Sequence, residues 1–283
     1  MEGEELNPAI RRRGVLSLGV VGVGVAGLGA TAVRSPAAAR PPVLTAQTTE
    51  GPYYFDVKLM RRDITEGLAG VPLEVRFNVL DEAGRPFAGA RVDIWHCDAT
   101  GVYSGYADQG EKRHIDTRGQ TFLRGNLNTD ADGVAAFRSV YPGWYEGRTT
   151  HIHFKVLNGT RAVLTSQFFL PDALSEFLYT QLPDYRRGRV RETLNSNDGI
   201  AIEAGQTVLG AIRQESDCYV ASLTVAVDRA ANPVVARPPV PGDGPPPGLD
   251  RTGGPPPPRG SRPLEGNQRL SALVPGNGSA VVK

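Results

Sequence analysis

The chain has 283 residues, 40% of them hydrophobic and 22% charged, which suits one globular domain flanked by tails. Its 31 basic and 30 acidic residues leave a net charge of +1 with no basic stripe interleaved with aromatics, which argues against nucleic acid as a partner. No glycine-rich phosphate loop follows a strand, which argues against a nucleotide cofactor as well.

In chain order, residues 1–39 read as a targeting segment. Arg11-Arg12-Arg13 precede an uncharged run of Gly, Ala, Val and Leu reaching Val33, and Ala37-Ala38-Ala39 offer small residues to a signal peptidase. The expectation is a twin-arginine signal, cleavage after Ala39 and a secreted or cell-wall-associated product. The competing reading is an uncleaved membrane anchor, which so many glycines weaken. Thr48 to Tyr54 is a polar turn with paired aromatics, on residue types alone a strap over the edge of a core.

From Pro72 the pattern is β. Leu73, Val75, Phe77 and Val79 alternate with Glu74, Arg76 and Asn78. After the turn at Asp81–Pro86 the alternation resumes at Ala88, Ala90, Val92 and Ile94, so the two runs are expected to pair like a hairpin. Gly105–Arg124 reads as a long polar loop in which His114 is solvated. Val134–Val140 is a strand, and Asn158-Gly159 a hairpin turn leading to a strand over Ala162–Leu170. Pro171-Asp172 caps one short helix near Ala173–Gln181, and Tyr219–Val227 is a final alternating strand.

The fold class expected is all-β: a Greek-key β-sandwich over residues 40–230, with long site-building loops and one short helix. Beyond it, more than half of the chain's 23 prolines crowd between Pro233 and Pro263. Residues 231–283 therefore read as a Pro/Gly-rich tail, extended or disordered, that buries too little surface to offset its ordering entropy.

The chemistry gathers in one stretch, Tyr141 to Phe154. His151 and His153 are two apart, so in a strand both imidazoles face one way while Ile152, Phe154 and Val156 face a core. Half of the chain's four histidines sit in this triplet. Pro142-Gly143 break regular structure and deliver Tyr145 from a loop, with Arg148 between it and the histidines. A second tyrosine, Tyr103, follows Ala99-Thr100-Gly101-Val102 at the end of another strand.

These two stretches, Val92 to Tyr103 and Gly143 to Phe154, resemble the intradiol ring-cleavage dioxygenases, and more closely their secreted, protocatechuate-dioxygenase-like bacterial branch. The resemblance covers roughly residues 45–228. It implies a non-haem Fe(III) held by Tyr103, Tyr145, His151 and His153. Arg148 would stabilise negative charge on the substrate ring, Gln167 would orient oxygen-bearing groups, and Tyr145 would take up a substrate proton. Gly51, Pro52, Tyr53 and Tyr54 match a stretch that borders the substrate pocket in that family. The implied reaction inserts both atoms of O2 into a catechol-type aromatic, giving a cis,cis-muconate-type diacid. Phenolates are hard anionic donors that favour Fe(III), which agrees with this ligand set.

Other readings meet specific obstacles. A cupin-type oxygenase needs a histidine downstream of His153, and there is none. A copper–zinc dismutase-like sandwich needs more histidines than four. A non-catalytic immunoglobulin-like surface module explains the strands and export, but not the grouping of Tyr103, Tyr145 and Arg148. His96 reads as a structural hydrogen-bonding residue. Cys97 and Cys218 are compatible either with a disulfide or with two buried thiols.

Overall fold

The computed structural model describes residues 40–233 and 264–273, apart from a few side chains in the last helix. The export signal expected over 1–39, and the tail over 234–263 and 274–283, lie outside the described residues.

Eight strands are described: β1 (Pro72–Leu80), β2 (Arg91–Trp95), β3 (Arg124–Asn128), β4 (Val134–Val140), β5 (His151–Asn158), β6 (Arg161–Phe169), β7 (Ala211–Gln214) and β8 (Tyr219–Ala226). They form two four-stranded sheets, ordered β4-β1-β8-β7 and β3-β2-β5-β6. Neighbours that are not consecutive in the chain, such as β1 beside β8 and β2 beside β5, mark the crossed-over connectivity of a Greek-key kind of sandwich. The alternation in β1 translates directly into burial: Leu73, Val75, Phe77 and Val79 are all within the core. Across the sandwich they meet Ile152, Phe154 and Val156 of β5, with the Phe77 and Phe154 rings 4.8 Å apart.

Three details differ from the sequence reading. The runs that become β1 and β2 do not pair as a hairpin. β1 pairs with β4 and, in parallel, with β8, while β2 pairs with β3 and β5 in the opposite sheet. Both carry a one-sided apolar face, and that pattern is satisfied equally by two strands facing each other across a core.

Two further helices, α2 (Gly199–Ala204) and α3 (Gly266–Leu273), accompany the expected α1 (Asp172–Gln181), and α3 falls within residues 231–283, which composition alone suggests are an unstructured tail. Asp172 does not cap α1; its carboxylate accepts from Arg191 and from the backbone N–H of Asn195 instead, each at 2.8 Å. Arg269 of α3 donates to both carboxylate oxygens of Glu176 on α1.

Third, Cys97 and Cys218 are free thiols, one of the two readings the sequence left open, but only Cys97 is buried. Cys97 is buried beneath Tyr103 with its thiol on the Gly143 carbonyl, whereas Cys218 lies partly exposed just before β8 of the other sheet.

His96 ends β2 as the sequence suggested, as a structural residue. Its Nδ1 donates to the Cys97 carbonyl at 2.8 Å and its Nε2 accepts from Ser139 Oγ at 2.7 Å, which assigns the neutral tautomer. Burial, aided by the positive charge of Arg124, lowers its pKa to about 4. Because the folded value lies below the unfolded one, the unfolded chain binds a proton first as pH falls. The native state should therefore keep its full stability above pH 6.5 and lose about 3 kcal/mol on going down to pH 4. Urea unfolding of wild type and His96→Gln between those pH values checks this: the variant should show a shallower decline.

Candidate metal and catalytic site

The sheet β3-β2-β5-β6 has an outward face that is nearly as buried as its inward one. Register places Arg124, Trp95, His153 and Gln167 in one row across all four strands, with Asn126, Asp93, Lys155 and Thr165 in the next. Chain laid over these polar rows supplies partners for many of their groups, although Trp95 Nε1, His153 Nδ1 and Thr165 Oγ1 have none among the described residues. The segment around residues 45–56 does this as a strap, as the residue types suggested. Thr48 N–H donates to the Thr165 carbonyl and Ser166 Oγ to the Ala46 carbonyl, while Lys155 pairs with Glu50. Arg124 donates from Nε to Ser104 Oγ and from Nη1 to the Tyr53 carbonyl, tying the strap to the loop that carries Tyr103.

His151 and His153 project onto this face from the start of β5, each 2% exposed. His151 Nδ1 donates to the Thr149 carbonyl at 2.6 Å, so its Nε2 carries a lone pair into the site. That Nε2 lies 3.0 Å from Tyr145 Oη and 3.1 Å from His153 Nε2. Burial, reinforced by the Arg148 charge, drops the His151 pKa to about 3 and puts that of His153 well below the ordinary value. Both rings are thus neutral and able to ligate at neutral pH.

Tyr145 reaches the histidines from the loop after Pro142-Gly143, as the sequence suggested, and is only partly buried. Gly143 is required there, because a Cβ would come within 2.2 Å of the Ala99 carbonyl. Tyr103 arrives from the β2–β3 connection, fully buried, its ring 5.8 Å from that of Tyr145 and 6.2 Å from that of His153. Burial raises the pKa of both phenols.

Arg148 and Gln167 contact each other. Arg148 Nη2 donates to Gln167 Oε1 at 2.5 Å, and Gln167 Nε2 donates to the Thr49 carbonyl at 3.0 Å, which fixes the orientation of the amide.

The four strap residues divide. Tyr53 stacks on Tyr103 at 4.5 Å, and Gly51 lies against the edge of His153. Tyr54 points away: its hydroxyl donates to Asp93 at 2.9 Å and its ring packs on Trp95. Pro52 is half-buried between them.

The family model described as "Dioxygenase" matches residues 49–181, which contain Tyr103, Tyr145, His151, His153, Arg148 and Gln167. The chain belongs to the intradiol ring-cleavage dioxygenase family.

Among its relatives is the catechol 1,2-dioxygenase of Acinetobacter baylyi, 28% identical over 220 residues that cover 69% of this chain and 67% of that one. Three other matched catechol and chlorocatechol 1,2-dioxygenases are spanned over only 45%, 43% and 53% of their length. Among solved structures, an intradiol ring-cleavage dioxygenase from Tetranychus urticae superposes with a TM-score of 0.61 at 28% identity, covering 68% of this chain and 98% of that one. The dioxygenase domain of a carbohydrate-binding fusion protein from Streptomyces sp. SirexAA-E gives 0.50 at 27% identity, covering 66% and 100%.

The intradiol dioxygenase site fits a hard trivalent cation on the chemistry of its own atoms. The Tyr103 hydroxyl is one of six buried side-chain polar atoms without a hydrogen-bond partner among the described residues, a costly state that a cation held beside it would relieve. Two imidazole nitrogens face each other at 3.1 Å, a contact that needs a proton or a cation between them. A cation there would also reverse the pKa logic of the two phenols, favouring the anions that burial opposes.

Sequence reasoning missed three contributors. Trp95 stacks on His153 at 5.0 Å with the rings nearly parallel. Arg124 stands at the end of the same row. Asp198 binds Arg148 at 2.9 Å from 50 residues away. Only Asp198 left a local trace, an Asp-Gly pair ahead of the short apolar run Ile200-Ala201-Ile202, which is a helix N-cap signature.

Gly51 offers a direct test of packing at the site. Its φ is +72°, and a Cβ there would meet His153 Cε1 at 3.0 Å. Gly51→Ala should weaken metal binding at the cluster about tenfold or more by displacing the imidazole, read by competition with a chelator. Gly67→Ala is the control, with a similar φ of +76° and nothing within 4 Å of the added methyl.

Proposed function

We propose that the protein is an Fe(III)-dependent intradiol dioxygenase that opens a catechol-type ring between its two hydroxylated carbons, yielding a cis,cis-muconate-type diacid with both atoms of O2 incorporated. The observation that carries this reading is the convergence of Tyr145 Oη, His151 Nε2 and His153 Nε2 beside the unpartnered Tyr103 hydroxyl. Tyr103, Tyr145, His151 and His153 would hold the iron. When bound, a ferric ion supplies the electrophilic centre that receives an ortho-diolate and makes its ring reactive toward O2.

The chain's own groups do the rest. Tyr145 lies at the open side of the cluster, so its Oη is placed to take a proton from the incoming diol. Arg148 holds a fixed positive charge beside the ligands, where it lowers the energy of negative charge developing on the ring. Gln167 also holds the guanidinium, accepting from Nη2 beside the Nε that Asp198 takes. The strap shuts water out over His153 and Tyr103.

The same proposal places the enzyme outside the cytoplasm, supported by Arg11-Arg12-Arg13 and the apolar run after it. Iron-loaded protein should be coloured by tyrosinate-to-Fe(III) charge transfer. With catechol, protocatechuate and hydroxyquinol in turn, it should consume one O2 per diacid formed with at least one of them. A colourless, iron-loaded protein that consumes no O2 with any of the three overturns the proposal.

A further inference from the structure

The carboxylate of Asp198 has four donors and no exposure to solvent. Oδ2 accepts from Arg148 Nε and from the Thr149 backbone N–H, each at 2.9 Å. Oδ1 accepts from the backbone N–H groups of Ile200 at 2.9 Å and Ala201 at 3.2 Å, the N-cap interaction of α2. Burial would raise the pKa of such a group, but the Arg148 charge and the N–H donors hold it below the usual carboxylate range, so Asp198 is an anion.

Its two Oδ2 bonds lead to both halves of the site. Arg148 is the fixed cation beside the ligands. Thr149 is the residue whose carbonyl accepts from His151 Nδ1 at 2.6 Å and thereby selects the tautomer that aims Nε2 at Tyr145 and His153.

We infer that Asp198 is the positioning residue that locks Arg148 and the Thr149–His151 unit to each other, so that the guanidinium and the ligating imidazole keep one fixed geometry. This inference rests on the dioxygenase reading for its catalytic consequence, though not for the geometry itself.

The segment that presents Asp198 is held independently of it. Thr149 Oγ1 donates to Asn195 Oδ1 at 2.9 Å and Asn195 Nδ2 to the Leu170 carbonyl at 2.9 Å. Buried Arg191 pairs with Asp172 at 2.8 Å. Residues 191–198 are thus docked against the start of β5 and the end of β6 before Asp198 makes any bond, and the carboxylate spans the remaining gap. A charge-assisted contact to a buried guanidinium is strong because little water competes for either partner.

Asp198→Asn is the informative variant. Asparagine caps helices as well as aspartate does, so α2 should survive, while one amide cannot accept from four donors or neutralise Arg148. In the iron-loaded enzyme, kcat for ring opening should fall about tenfold or more with KM changed much less, since the lost interaction matters most when ring charge develops. In the metal-free protein, the drop in urea midpoint caused by Asp198→Asn should shrink when Arg148 is already Met, the non-additivity expected of a direct partner.

Additive midpoints together with wild-type kcat in Asp198→Asn would overturn the inference. If the wild type opens no catechol ring but the midpoints are non-additive, the catalytic reading fails and the positioning bond stands. Should Asp198→Asn not fold, Asp198→Glu keeps the charge on a longer arm. Its kcat should lie below wild type with the charge-transfer band retained, and an unaltered kcat there counts against the inference.

Discussion

Tyr103→Phe is expected to act in opposite directions on stability and on function. The hydroxyl it removes is buried and has no hydrogen-bond partner among the described residues. An unsatisfied buried hydroxyl costs about 1–3 kcal/mol, so the metal-free variant should be more stable than wild type by about that amount. The ring itself keeps its packing, stacked on Tyr53 at 4.5 Å. Function should go the other way. On the proposed ligand set one of two phenolates is lost, so the charge-transfer band should change and ring opening should fall at least about a hundredfold. Urea unfolding of the metal-free proteins and O2 uptake by the loaded ones read the two effects separately. A variant that is less stable without metal would show that the hydroxyl has a partner of its own. Stability given up at a binding centre is the usual cost of preorganising ligands.

The second large effect lies at Lys155, two residues after His153 on the same face. It pairs with Glu50 of the strap, with both side chains at 10% exposure or less, and its ammonium sits 3.6 Å from the centre of the Tyr54 ring. Removing one partner of a buried ion pair takes the counter-ion from the other, at a cost of about 3–5 kcal/mol. Lys155→Met should therefore destabilise by about that much. The strap, which carries Gly51 against His153 and Tyr53 against Tyr103, should also become open to proteolysis. Glu50→Gln combined with Lys155→Met should recover a large part of the lost stability, because the buried carboxylate that lost its counter-ion is then a neutral amide. Equal unfolding midpoints for the single and double variants would show that the charge pair does not hold the strap.

The spacing of His151 and His153 was legible because a strand's period of two leaves little freedom: residues two apart share a face whichever sheet the strand joins. Tyr145 was legible because Pro142-Gly143 force a break at a known distance from those histidines. The outward face of the sheet was harder to read. β3 has the sequence Arg-Gly-Asn-Leu-Asn, polar because it lies over a buried polar row, and polar composition is also what a loop shows. β7 is a short, largely exposed strand at the sheet edge and carries almost no apolar signal.

Local sequence by itself determined which residues could ligate, and which strands could bury one face, because both follow from residue chemistry and backbone period. Only the tertiary structure decided who meets whom. Pairing β2 with β5 aligned Arg124, Trp95, His153 and Gln167 in one row. The fold also left Cys97 after a strand of one sheet and Cys218 ahead of a strand of the other, and set Asp198 against Arg148. Those meetings span tens of residues of chain, and they are selected by the burial of whole faces, a quantity that no short stretch of sequence contains.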